Sequence, residues 1–100
     1  MTIKQLKYIA ALSERKNFSK ASLDCNISQP TLSMQIQKLE EELGVTIFNR
    51  SKKPIELTQK GEQIIIQAKK TIREFERISE IINTKKEILK GGFIFKNYNS

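Results

Sequence analysis

Residues 17–61 read NFSKASLDCNISQPTLSMQIQKLEEELGVTIFNRSKKPIELTQKG, and this stretch decides the architecture. Two helical patterns stand on either side of a tight turn, and two short apolar runs then flank a basic loop. Ala21 and Cys25 fall one turn apart on one helical face, with Ser19 available as the cap ahead of them. Asn26 tolerates the left-handed backbone that a sharp turn needs, and Ile27 is set to point back to the core. Ser28 is a good N-cap for the next helix, and Pro30 sits in its first turn, where a missing N–H costs nothing. Leu32, Ile36, Leu39 and Leu43 step by four, three and four along one buried stripe, and Gly44 ends the helix.

The polar positions of that helix are Gln29, Thr31, Ser33 and Gln35, expected opposite the buried stripe. They are uncharged hydrogen-bonding side chains, the type that reads base edges in a major groove. Val45–Phe48 and Ile55–Leu57 are brief β-type runs around Asn49-Arg50-Ser51-Lys52-Lys53-Pro54, which predicts a hairpin with a basic tip. Such a tip can lie along phosphates or enter the adjoining minor groove. Taken singly, a polar helix face is a solvated face and a lysine-rich loop is a solubilising one. The order short helix, turn, helix, basic hairpin is what a winged helix-turn-helix needs to set its second helix in DNA.

Working outward, Thr2-Ile3-Lys4-Gln5 fits a capping box, and Ile3, Leu6 and Ile9 then keep helical spacing to about Lys16. Asn17 is a turn residue and Phe18 an aromatic anchor for the core. From Thr58 one long helix is predicted, capped by Thr58 and ending near Leu89. Ile65, Ala68, Ile72, Phe75, Ile78 and Ile82 recur along it, widened by Ile64 and Ile81. At 1.5 Å per residue it would be roughly 48 Å long, more than a small domain can cover, so the stripe is expected to pair with a second copy. Lys90–Ser100 reads as a hinge and the interrupted start of a further domain. The expected units are thus 1–57, 58–89 and 90–100.

Composition agrees. The chain has 100 residues, 38% hydrophobic and 29% charged, enough for one folded domain and an extension. A net charge of +7 favours a polyanionic partner. There is no histidine and a single cysteine, so neither a disulfide within the chain nor a structural zinc site is expected. Gly91-Gly92 is an isolated pair rather than a phosphate loop, and Glu40-Glu41-Glu42 fans around a helix end instead of converging. Catalytic residues, metal and cofactor are therefore all expected to be none. The first sixteen residues lack the apolar core of a signal peptide, and no apolar run nears the roughly 18 residues of a membrane span, so a cytoplasmic protein without membrane contact is expected.

The fragments Leu6-Lys7-Tyr8, Phe18-Ser19-Lys20-Ala21, Ile27-Ser28-Gln29-Pro30-Thr31-Leu32-Ser33, Gln35-Ile36, Leu39–Gly44, Phe48-Asn49-Arg50 and Leu57-Thr58-Gln59-Lys60-Gly61, in this order and spacing, resemble the N-terminal part of the LysR-type transcriptional regulators. The resemblance covers residues 3 to about 90, and Leu23–Val45 with its Cys25 is most similar to the family's peroxide-responsive activators. It implies a mainly α fold: a winged helix-turn-helix with a short β-hairpin wing, then a long linker and dimerisation helix. It further implies sequence-specific binding of double-stranded DNA at a palindromic promoter site, as a homodimer. Ser28, Gln29, Pro30, Thr31, Ser33 and Gln35 match the family's major-groove surface, and Arg50, Lys52 and Lys53 its wing. Ser22 stands where an alanine is usual, and Met34 and Gln37 where basic residues are common. Family members continue into an effector-binding domain, so no small-molecule effector is expected in this chain. By position Cys25 is a small core residue rather than a sensor. Two other readings stay open on the residues alone. One is a charge-driven, sequence-indifferent nucleic-acid binder; the other is an interaction module forming mixed dimers with a longer relative.

Overall fold

A computed structural model describes residues 1–90, with side chains through residue 83. The order is α1 (Ile3–Arg15), α2 (Phe18–Cys25), α3 (Gln29–Leu43), β1 (Phe48–Asn49), β2 (Glu56–Leu57) and α4 (Gln59–Lys90). This is the mainly helical winged helix-turn-helix with a long trailing helix that the sequence predicts. The hinge and further-domain reading of the tail lies outside the described residues, apart from Lys90 itself.

Local chemistry starts and stops the helices. Thr2 Oγ1 accepts the Gln5 N–H at 3.1 Å and Gln5 Oε1 accepts the Thr2 N–H at 2.9 Å, both arms of the expected capping box. Lys16 ends α1 at φ 55° and donates its N–H to the Leu12 carbonyl at 2.7 Å. The cap of α2 is Asn17, not Ser19: its Oδ1 accepts the Lys20 N–H at 2.9 Å. Asparagine caps as well as serine does, and starting two residues earlier gives α2 a further hydrogen bond, from Ala21 N–H to the Asn17 carbonyl at 3.0 Å. Asn26 takes the left-handed turn at φ 60°, and Gly44 closes α3 at φ 68°.

The core lies where α1, α2 and α3 meet beneath the hairpin and the first turns of α4. Ile9, Leu12, Leu32, Ile36, Leu39 and Ile47 are its largest fully buried side chains. At about 1.5–3 kcal/mol for each side chain removed from water, they are the main source of stability in so small a unit. Ser22, 6% exposed, is tolerated among them because its hydroxyl donates to the Ser19 carbonyl at 2.7 Å. Cys25, expected inside, is only half-buried, at the last turn of α2. Burial, and after it the Asp24 carboxylate, push its thiol above the ordinary range, which disfavours the thiolate.

The hairpin is shorter than predicted. β1 and β2 pair antiparallel through Phe48–Leu57 and Asn49–Glu56 alone. Upstream, a side chain replaces the ladder: Glu40 Oε2 accepts the Ile47 and Phe48 N–H groups at 2.7 and 3.1 Å. Glu40 is therefore half-buried and structural, whereas Glu41 and Glu42 are exposed.

Thr58 caps α4 as expected, accepting the Gly61 N–H at 2.9 Å while its hydroxyl donates to the Thr46 carbonyl at 2.6 Å. Gly61 is required by packing. A Cβ there would lie 2.2 Å from the Ile47 carbonyl oxygen. The apolar stripe of α4 divides in two. Ile65 and Ala68, expected at a contact between copies, are 5% and 3% exposed in the domain's own core, because α1 lies against the first turns of α4. Ile72 is half-buried against that core, and Lys69–Glu14 and Lys7–Glu76 ion pairs of 3.2 and 3.4 Å flank the contact. Beyond it Phe75, Ile78, Ile81 and Ile82 are 51%, 61%, 56% and 48% exposed. No helix among the described residues is long and apolar enough to cross a membrane.

Candidate nucleic-acid interface

α3 is the helix on which the candidate reading residues stand, and its geometry follows from its buried stripe. With about 100° between successive residues, burying Leu32, Ile36 and Leu39 turns Pro30, Met34 and Glu41 directly outward, with Gln37 and Lys38 on either side. All five are exposed, Met34 by 53%. Gln29, Thr31, Ser33 and Gln35 do not share that outward face. Gln29 and Ser33 lie one turn apart along the edge next to the hairpin; Thr31 and Gln35 lie along the opposite edge, toward α1. The expectation of one continuous polar face treated alternate positions as neighbours, which holds for a strand and fails on a helix.

Protein partners hold three of these side chains. Ser28 caps α3, accepting the Thr31 N–H at 3.2 Å, and its hydroxyl meets that of Thr31 at 2.7 Å. Gln35 Oε1 accepts from Gln5 Nε2 at 3.3 Å, so α1 buttresses that edge. Ser33 Oγ accepts from Arg50 Nη1 at 2.7 Å. Gln29 and Pro30, at the start of α3, are exposed.

The wing residues also separate. Arg50 sits at the foot of the hairpin with its guanidinium 4.8 Å from the centre of the Phe18 ring, within cation–π range, and 3.9 Å from Glu40 Oε1. It thus ties the hairpin to α2 and α3 rather than projecting from it. Lys52 and Lys53 form the exposed tip. The tip stands over a shallow cleft of about 450 Å³ whose other walls include Lys16, Ser19 and Gln29. The wing cations, the first turn of α2 and the first turn of α3 therefore converge on one side of the molecule, an arrangement suited to a phosphate backbone beside a groove. Glu40 and Arg50 are the supporting residues that sequence reasoning missed or misplaced. The signal available for Glu40 was its position on the hairpin-side flank of the α3 stripe, whereas Glu41 points directly outward. No group of histidine, cysteine or acidic side chains that could hold a metal occurs among the described residues.

Residues 3–62 match the profile of the bacterial regulatory helix-turn-helix protein, lysR family. The chain belongs to the LysR family. A hydrogen peroxide-inducible genes activator of Haemophilus influenzae is 41% identical over 91 residues, which are 91% of this chain and 30% of that protein. Full-length OxyR of Pseudomonas aeruginosa superposes with a TM-score of 0.80 at 44% identity, over 84% of this chain and 28% of the other. The DNA-binding domain of BenM, solved on its benA site 1 DNA, superposes with a TM-score of 0.74 at 34% identity, over 91% of this chain and 99% of that one. The chain thus spans about 30% of the length of the curated relatives it matches. Those relatives are transcriptional regulators and not enzymes, and the similarity to peroxide-responsive activators noted at Leu23–Val45 extends along most of the chain.

Proposed function

We propose that this chain is the DNA-binding and pairing part of a LysR-type transcriptional regulator and recognises a palindromic promoter site as a homodimer. The observation that carries the reading is the convergence of the exposed start of α3 with the Lys52–Lys53 tip on one side of the domain. α3 reads base edges in the major groove, with Gln29, Pro30, Thr31, Ser33 and Gln35 on or beside the contact and Ser28 holding its first turn. Lys52 and Lys53 neutralise phosphates, and Arg50 sets the angle between wing and helix. The outer half of α4, from Phe75 to Ile82, pairs two copies, so that two reading helices face two half-sites. Support comes from a family member of matching size solved on DNA. Such a role belongs in the bacterial cytoplasm, with no membrane and no cofactor.

Anisotropy titrations of a palindromic promoter duplex and a scrambled duplex at rising salt test the reading. The palindrome should remain preferred as salt weakens both. Lys52→Ala with Lys53→Ala should weaken both duplexes alike and reduce the logarithmic salt slope by about two. Equal affinity for the two duplexes throughout would leave a charge-driven binder in its place.

A further inference from the structure

We propose that Arg50 sets the hydrogen-bonding sense of Ser33, making that hydroxyl a donor toward DNA, so that the base opposite Ser33 is selected for an acceptor on its major-groove edge. The inference rests on the reading of α3 as the base-contacting helix.

Arg50 is not a mobile surface cation. Its guanidinium lies 4.8 Å from the centre of the Phe18 ring and 3.9 Å from Glu40 Oε1. From that position Nη1 donates to Ser33 Oγ at 2.7 Å, and Nη2 reaches the Ser33 carbonyl at 3.4 Å. Glu40 is itself fixed by the Ile47 and Phe48 amides. The chain of contacts therefore runs from the hairpin backbone to one hydroxyl on α3.

A serine hydroxyl has one hydrogen to donate and two lone pairs to accept with, and alone it contacts base donors and acceptors indifferently. Here a charged donor occupies one lone pair. Its positive charge opposes the approach of a second N–H group to the same oxygen, whereas the O–H hydrogen stays free to turn outward. The acceptors it can meet are guanine N7 and O6, adenine N7 and thymine O4; cytosine offers the N4 amino donor instead. Arg50 is accordingly a positioning residue. It selects a base through Ser33 without touching one.

The test is a panel of half-site duplexes in which each base pair is changed in turn, with 7-deazaguanine or 7-deazaadenine added at purine positions to remove the N7 acceptor. In the unmutated protein one position should tolerate guanine, adenine or thymine but lose roughly tenfold with cytosine. Ser33→Ala should flatten the preference at that position, and Arg50→Met should flatten it there while also weakening every duplex through the loosened wing. Arg50→Lys, a milder change that gives up the planar stack and the second hydrogen bond, should weaken the same preference and covers the case in which Arg50→Met folds poorly. An Arg50→Lys protein that binds every duplex more weakly by the same factor overturns the inference alone, since a purely structural or phosphate-binding arginine would behave so. A cytosine preference at the Ser33 position overturns it as well. Absence of any sequence preference in the unmutated chain overturns both this inference and the assignment of α3 as the reading helix.

Discussion

Gln5 joins the cap of α1 to the edge of α3, its Nε2 donating to Gln35 Oε1 at 3.3 Å. The sense of this bond is fixed locally. Gln5 Oε1 is held by the Thr2 N–H, which leaves only the amide nitrogen to face Gln35. Gln5 is 7% exposed, so losing it removes one arm of the capping box and a partner in a largely dry contact. Gln5→Ala should lower stability by about 1–2 kcal/mol. Urea unfolding of Gln5→Ala, Gln35→Ala and the pair should give a coupling on the order of 0.5–1.5 kcal/mol. Additive effects would mean that the two amides do not meet.

The neighbouring glutamates Glu40 and Glu41 should behave differently. Glu40→Ala leaves the Ile47 and Phe48 amides without their acceptor and frees Arg50, so a loss of roughly 2–4 kcal/mol is expected. Glu41→Ala, at an exposed position, should fall within about 0.5 kcal/mol of the parent. Urea midpoints at equal slope compare the two directly.

The division of α4 predicts two kinds of failure from the same substitution. Phe75→Glu with Ile78→Glu places charge on the exposed half and should give folded monomers with weaker DNA binding. Ile65→Glu places it in the domain core and should unfold the chain, since a buried charge without a partner costs several kcal/mol. Sedimentation velocity with circular dichroism distinguishes the outcomes. A monomeric parent at tens of micromolar would remove the pairing role from α4.

Acid sensitivity should arise in part at the α1–α2 corner. Arg15 holds Asp24 through two hydrogen bonds of 2.6 and 3.0 Å, and this bonding keeps the Asp24 carboxyl below the ordinary aspartate range. A carboxylate with a lowered folded pKa contributes stability above its unfolded pKa and loses it as pH falls through the folded one. Asp24→Asn should therefore flatten the acid side of a melting-temperature profile. The effect should be small and shrink with added salt, because the pair is open to solvent. An NMR titration placing Asp24 at the ordinary aspartate value would remove the basis for it.

Much of the fold was legible because its determinants are short-range. Thr2, Ser28 and Thr58 each cap a helix through a residue three positions ahead, and the left-handed turn at Asn26 is a property of the residue itself. Ser19 was read as the cap of α2 and Asn17 only as a turn residue; the earlier start gives α2 a further backbone hydrogen bond, which residue type alone does not reveal. The candidate site was less legible. Its residues could be named from type and order, but their partners come from the chain's return: Arg50 reaches Ser33 across 17 positions, and Gln35 meets Gln5 across 30. Likewise the stripe from Ile65 to Ile82 has one helical period throughout. Only the placement of α1 shows where the core ends and the exposed surface begins.

The approach at Gly61 has a mechanical meaning. The backbone of α4 is seated on the Ile47 carbonyl with no room for even a methyl group, and the Thr58 hydroxyl donates to the Thr46 and Ile47 carbonyls beside it. Between hairpin and long helix there is a weld where a linker would have left a joint. With Ile65 and Ala68 sunk against α1, the inner turns of α4 are part of the rigid body that carries the wing and α3. On the pairing proposed above, the angle at which two such shafts cross, rather than any loop, would set the distance and phase between half-sites.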